Sequence, residues 1–274
     1  MNENKSAGRI GQFLARKNII FSGKRYGIDA LGAMAQGLFA SLLIGTIVST
    51  LGQQLGMEFL ITVGNYTKST YVVGAAIGYA LQAPQLVLFS LVSVGAAANE
   101  LGAAGGPLAV LIITVLAAEC GKAVSKETRI DILATPLVTI LVGIFFSLWW
   151  APAIGTAAGR TGDLIMWATE LQPFFMGILV SVIVGIALTL PISSAAICAA
   201  LGLVGLAGGA AVAGCCAQMV GFAVMSFREN KWGGLISQGL GTSMLQMGNI
   251  VKNPRIWIPP TLASAITGPV ATCI

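Results

Sequence analysis

The chain has 274 residues, of which 9% are charged, with a formal net charge of +5 and a mean hydropathy of +0.86. A soluble domain carries about 25% charged residues, so this composition excludes a water-exposed globular surface and points to lipid-facing helices. It also excludes a nucleic-acid partner, because the excess positive charge lies in one short N-terminal stretch and not on a basic face of a soluble fold.

Residues 1–29 read as a cytoplasmic amphipathic segment. Lys5, Arg9, Arg16, Lys17, Lys24 and Arg25 precede the first long apolar run, opposed only by Glu3 and Asp29. Ile10, Phe13, Leu14, Ile19, Ile20 and Phe21 alternate with the basic residues, which suits a helix lying on the bilayer surface; the alternative is a plain basic tail. The first apolar run begins near Ala30, too far in for a secretory signal peptide. Residues 30–274 form one transmembrane domain of apolar runs at 30–57, 69–99, 101–118, 132–159, 171–227, 232–251 and 256–274. A helical crossing needs about 20 such residues. Runs 30–57 and 132–159 therefore fit one crossing each, and 171–227 holds two or three, with Pro191 and Gly208-Gly209 as break points. The abrupt end at Cys273-Ile274 leads us to expect a longer protein.

Basic loops orient the chain. The N-terminus, the loop bearing Lys122, Lys126 and Arg129, and the Arg228/Lys231 pair around Glu229 all favour the cytoplasm. The 160–170 loop, with Arg160 against Asp163 and Glu170, favours the outside. One crossing for each of the first three runs would put Lys122 outside. Either one segment enters and leaves by the same side, or 69–99 is two half-spans; Gln82–Gln85 and Gly102–Pro107 supply the breakers. Non-helical backbone at membrane depth is tolerated only when buried in protein or lining a wet cavity. The expected fold is an all-α polytopic transmembrane bundle with broken or re-entrant segments, and the conflict itself hints at a solute pathway.

Polar residues are expensive in a bilayer, and four places carry them. Gln82 and Gln85 flank Pro84, either as hydroxyl-reading amides or as a structural kink. Asn99 and Glu100 precede a glycine-rich stretch, as a solute contact or as an interfacial turn. Glu119 and Lys122 share a helical face, as a site carboxylate or as an ion pair at the helix end. The densest place carries Gln246, Asn249, Lys252, Asn253 and Arg255 among prolines, followed by Thr267; its cations can bind an anion or anchor a loop to headgroups. The stretch from Gly78 to Pro84 weakly echoes that from Gly241 to Gly248, and both precede a Gly-Pro pair, as in transporters with two interrupted segments. The five cysteines lie in or beside apolar runs as small packing residues. Histidine is absent, and there is no Walker loop or zinc spacing. An ATP-driven pump is thereby excluded, and no metal or cofactor is expected.

The stretch from Gly241 to Pro269, with Asn253-Pro254-Arg255 at its heart, resembles the membrane subunit IIC family of the phosphotransferase system, in the branch of PfoR-type toxin regulators. Ala83–Ser90 and Lys126–Pro136 fit the same pattern, so the resemblance covers nearly the whole chain. It implies a homodimeric sugar permease of the bacterial cytoplasmic membrane, served by cytoplasmic IIB and IIA phosphoryl donors, with a chain continuing past Ile274. Well-studied relatives place a histidine and a glutamate near the sugar; this chain has no histidine, no glutamate between Pro259 and Pro269, and no IIA or IIB domain of its own. Glu100 or Glu119 is then the candidate base, and Lys252 or Arg255 the candidate stabilising charge, beside Gln82, Gln85, Asn99, Gln246, Asn249, Asn253 and Thr267 as solute contacts. Two further readings stand: an uncoupled carrier or channel of the same fold for a sugar or organic anion, and a membrane regulator of gene expression.

Overall fold

The computed structural model describes residues 9–68 and 70–273; Glu3, Lys5 and the terminal Ile274 lie outside them. Among the described residues every regular element is helical, so the fold is an all-α membrane bundle. A short helix, α1 (Arg9–Arg16), precedes a continuous helix from Arg25 to Leu55. The latter contains α2 (Ala30–Leu38) and α3 (Ile44–Leu55), separated by a π-helical stretch at Phe39–Leu43. Gly56, at φ 66, ends it in the left-handed conformation that glycine adopts without steric cost.

Two short helices, α4 (Glu58–Thr67) and α5 (Tyr71–Ala80), run back antiparallel along this helix. Gly52 abuts Ile61, Gly45 abuts Gly64 and Lys68, and Gly37 abuts Val73 and Ala76. Together α4 and α5 make one broken pass. Gln82, at φ 53, and Pro84 then turn the chain into α6 (Gln85–Gly102), which folds back through a tight turn into α7 (Gly106–Val124). These two form a hairpin, since Gly106 packs on Asn99 and Gly102 on Ala109. Lys122 thus returns to the end where the long first helix began: its ammonium donates to the carbonyls of Asn18 (3.0 Å) and Leu81 (3.3 Å). The passes before Lys122 are even in number. The topological conflict is resolved by division of the 69–99 run into α5 and α6 at the Gln82–Pro84 turn.

The 39-residue α8 (Asp131–Thr169) follows. It buries Thr135, Thr139, Gly143, Ser147 and Ala151, a small residue at every fourth position. Gly143 meets Val94, and Gly155 meets the Gly102 carbonyl. Thr139 and Ser147 hydrogen-bond the carbonyls four residues back (both 2.8 Å), which leaves no buried hydroxyl unpaired along this stripe. With α2, α5, α6 and α7, this part of α8 encloses a first core around Met34, Ile77, Leu91, Val94 and Ile113.

A second bundle contains α9 (Pro173–Thr189), the short α10 (Ser194–Ala200), α11 (Gly205–Met225) and α14 (Ile258–Cys273). Its seam repeats the period of four: Gly177, Ser181 and Gly185 on α9; Ala210, Gly214 and Gln218 on α11; Ser264, Gly268 and Thr272 on α14. The Ser181 hydroxyl donates to Ser264 O (2.7 Å) and the Ser264 hydroxyl to Gly214 O (3.2 Å). Small residues let backbones approach where lipid offers no hydrophobic drive for helix association. Outer faces carry exposed apolar side chains such as Phe145, Trp149, Leu262 and Ile266, as a lipid-facing surface requires. Between the bundles run α12 (Phe227–Ile236) and α13 (Met247–Lys252) with their connecting turns.

Candidate functional site

The segment that follows α11 does not cross the bundle. Ser226 ends α11, Lys231 breaks α12 at φ 49 and ψ −146, and a π-helical turn at Ser237–Gly241 and a 3-10 turn at Ser243–Gln246 carry the chain back. It then runs antiparallel along α2, with Gly241 against Phe39 and Leu43, and Gly248 against Ile28.

The amide side chains that this segment carries satisfy one another. Gln238 donates to the Ser226 hydroxyl (3.0 Å), Gln246 donates to Gln238 Oε1 (3.0 Å), and Asn249 donates to Gln246 Oε1 (2.8 Å). Gln238 and Gln246 are buried, so the bond between them is sheltered from competing water. The chain of amides edges a cavity of about 340 Å³ walled by Ser226, Glu229, Asn230, Gln246 and Asn249 on its polar side, with Phe222, Met225 and Ile256 on its apolar side. Small-ligand pockets begin at about 300 Å³ and combine an apolar lining with a few polar groups in this way.

A second cavity of about 220 Å³ lies between the two bundles, lined by Phe39, Leu43, Pro107, Ser193, Thr242 and Met244 among others. The two cavities are separated by the Ser243–Gln246 turn. Ser243 is fully buried and shares a 2.8 Å hydrogen bond with Thr189 at the end of α9.

Of the positions singled out from sequence, Gln246 and Asn249 face the first cavity. Lys252, Asn253 and Arg255 lie exposed on the turn beyond it, where Asn253 Oδ1 accepts the Arg255 backbone N–H (3.3 Å). Thr267 sits in an apolar groove between α11 and α14, its hydroxyl bonded to Ala263 O at 3.0 Å. Glu100 is exposed at the end of α6 and Asn99 backs onto Gly106. Gln85 is exposed at the first turn of α6. Glu119 is buried near the opposite end of the α6–α7 hairpin from Glu100, with an oxygen 2.8 Å from the Lys122 ammonium. The Tyr26 hydroxyl is buried without a hydrogen-bond partner among the described residues. Glu100 and Glu119 are therefore not brought together.

Gln82 belongs to a third cavity of about 330 Å³, at the end of the first bundle, with Arg16, Lys17, Asn18, Lys122, Lys126 and Glu127. Asn18 donates to Gln82 Oε1 (2.7 Å). Arg16 and Lys17 approach Glu127 Oε1 at 2.7 and 2.6 Å. The Lys17 hydrogen bond, reinforced by the Arg16 charge, holds the Glu127 carboxyl below its ordinary range.

Sequence reasoning missed Glu229, Asn230 and Ser226. Glu229 reads as one charge in a loop with Arg228 and Lys231. The available signal was Gln238, which shares the 232–251 apolar run with Gln246 and Asn249 and, as a polar group there, demands a partner. A family model described as "Phosphotransferase system, EIIC" matches residues 28–274. No curated protein and no solved structure matches the chain.

Proposed function

Since the chain belongs to the phosphotransferase-system EIIC family over residues 28–274, and so is a multi-pass membrane component of sugar transport by that system, we propose that it is a permease whose solute sits in the Glu229 cavity. The observation that carries this reading is one cavity edged by a carboxylate and a continuous chain of amides. Amides both donate and accept, as sugar hydroxyls do. In the coupled reaction a sugar hydroxyl gives its proton to Glu229 as its oxygen attacks the phosphoryl group on a partner IIB subunit. The new P–O bond forms as the bond to the phosphorylated cysteine or histidine breaks, and that side chain keeps the electron pair. A positioned base of this kind contributes about a hundredfold or more.

The rest of the proposal follows the family. The protein is a homodimer in the bacterial cytoplasmic membrane, of the PfoR-like branch, with IIA behind IIB. Residues 1–29 are a cytoplasmic amphipathic segment and 30–274 one transmembrane domain, with the N-terminus cytoplasmic. The absence of histidine favours a second reading, uncoupled carriage by the same cavity.

Uptake of labelled sugars by proteoliposomes, with and without a cytoplasmic phosphoryl-donor extract, separates the two. Uptake that requires the extract supports coupling, whereas equal uptake without it supports the carrier. On the coupled reading, Glu229→Gln loses phosphorylation while retaining sugar binding, and Gln246→Leu loses both. Glu100→Gln and Arg255→Ala test the positions outside the cavity; normal uptake in both removes them from the site.

A further inference from the structure

We propose that the cavity beside α1 binds a phosphoryl anion, either the phosphodiester of an anionic membrane lipid or free phosphate. Its wall carries Arg16, Lys17, Lys122 and Lys126 with the single lining carboxylate Glu127; even with Glu119 paired to Lys122 behind the wall and Asp131 beside Lys126, positive charge is in excess. Two of these cations are withdrawn from water: the side chains of Lys122 and Lys17 are 1% and 9% exposed. Cations that repel one another beside a sheltered cavity are stabilised by an anion placed among them.

The present partners hold these cations in position without filling the cavity. Lys122 is fixed by Glu119 behind it and by the Asn18 and Leu81 carbonyls. Lys17 donates to the Ser125 carbonyl and contacts Glu127. Lys126 forms no ion pair among the described residues. Glu127 is exposed and forms both surface ion pairs, so it is the group that an entering phosphate displaces.

Neighbouring residues favour a lipid as the source. Ile10, Ile20 and Phe21 are 76%, 52% and 75% exposed, alongside the same basic segment. Apolar side chains seated in the acyl region bring the cavity to headgroup depth.

The test is direct binding to the purified full chain in detergent. The probes are phosphatidylglycerol, phosphatidylcholine and inorganic phosphate, and the variants are Glu127→Gln and the double variant Arg16→Gln/Lys126→Gln, both of whose positions are exposed. Phosphatidylglycerol binds the wild type saturably, and the double variant binds it roughly thirtyfold more weakly, at about fivefold per cation. Glu127→Gln binds it more tightly than the wild type, and phosphatidylcholine does not compete. Saturable binding of inorganic phosphate with the same loss in the double variant supports the site with the free anion as its ligand. Equal phosphatidylglycerol affinity in wild type and double variant overturns the proposal, as does equal affinity for phosphatidylcholine. Normal unfolding temperatures in the variants keep either result from being a folding artefact.

Discussion

A Cβ placed on Gly214 would collide with the Ser181 carbonyl, and one on Gly268 with the Gly177 carbonyl. Gly214→Val is therefore expected to destabilise the second bundle by about 1–3 kcal/mol, the usual penalty for overpacking. Gly159, which has nothing within 4 Å of its added Cβ, serves as the control: Gly159→Ala should change stability by less than about 0.5 kcal/mol. Thermal unfolding in detergent measures both. Glu127 makes a different prediction. Its folded-state carboxyl titrates below the ordinary 4.5, so its contribution is complete above that value and is lost as pH falls through the depressed one. A spin label on Ile20→Cys should be immobile at neutral pH and gain mobility in acid, and Glu127→Gln should remove that dependence. Glu229 was the residue hardest to read. Nothing local distinguishes it from a solvated loop charge; its setting arises only when Gln246 and Asn249, far along the chain, return beside it.

Among the elements, hydropathy and breakers exposed most of the architecture. The basic amphipathic stretch contains α1, and the Gln82–Pro84 turn divides the run that counting could not accommodate. The break between α4 and α5 was hidden, because Lys68 reads as an ordinary loop charge although Gly45 packs against it. The π-helical stretch at Phe39–Leu43 has no sequence signal either: it forms where Gly241 presses on Phe39 and Leu43, a contact between distant segments. The Ser243–Gln246 turn depends on tertiary structure in the same way. Its hydroxyl pair, Thr189 and Ser243, should show a coupling of about 0.5–1.5 kcal/mol in a double-mutant cycle of Thr189→Val and Ser243→Ala. A coupling near zero would mean that this hydrogen bond does not seat the turn.

For the molecule as a whole, the even number of passes before Lys122 makes a topological prediction. In a cysteine-free background, single cysteines at Arg9 and Lys126 should react with an impermeant reagent from the same side of sealed vesicles. Reaction from opposite sides would refute the pass count. The two bundles are joined chiefly by α8, whose far portion leaves the first core after Gly155 meets Gly102. The fourteen residues from there to Thr169 form an arm of about 21 Å at about 1.5 Å per residue. Close backbone contact at Gly155 pins α8 against the first bundle, so the arm beyond it fixes how far the second bundle stands from that core.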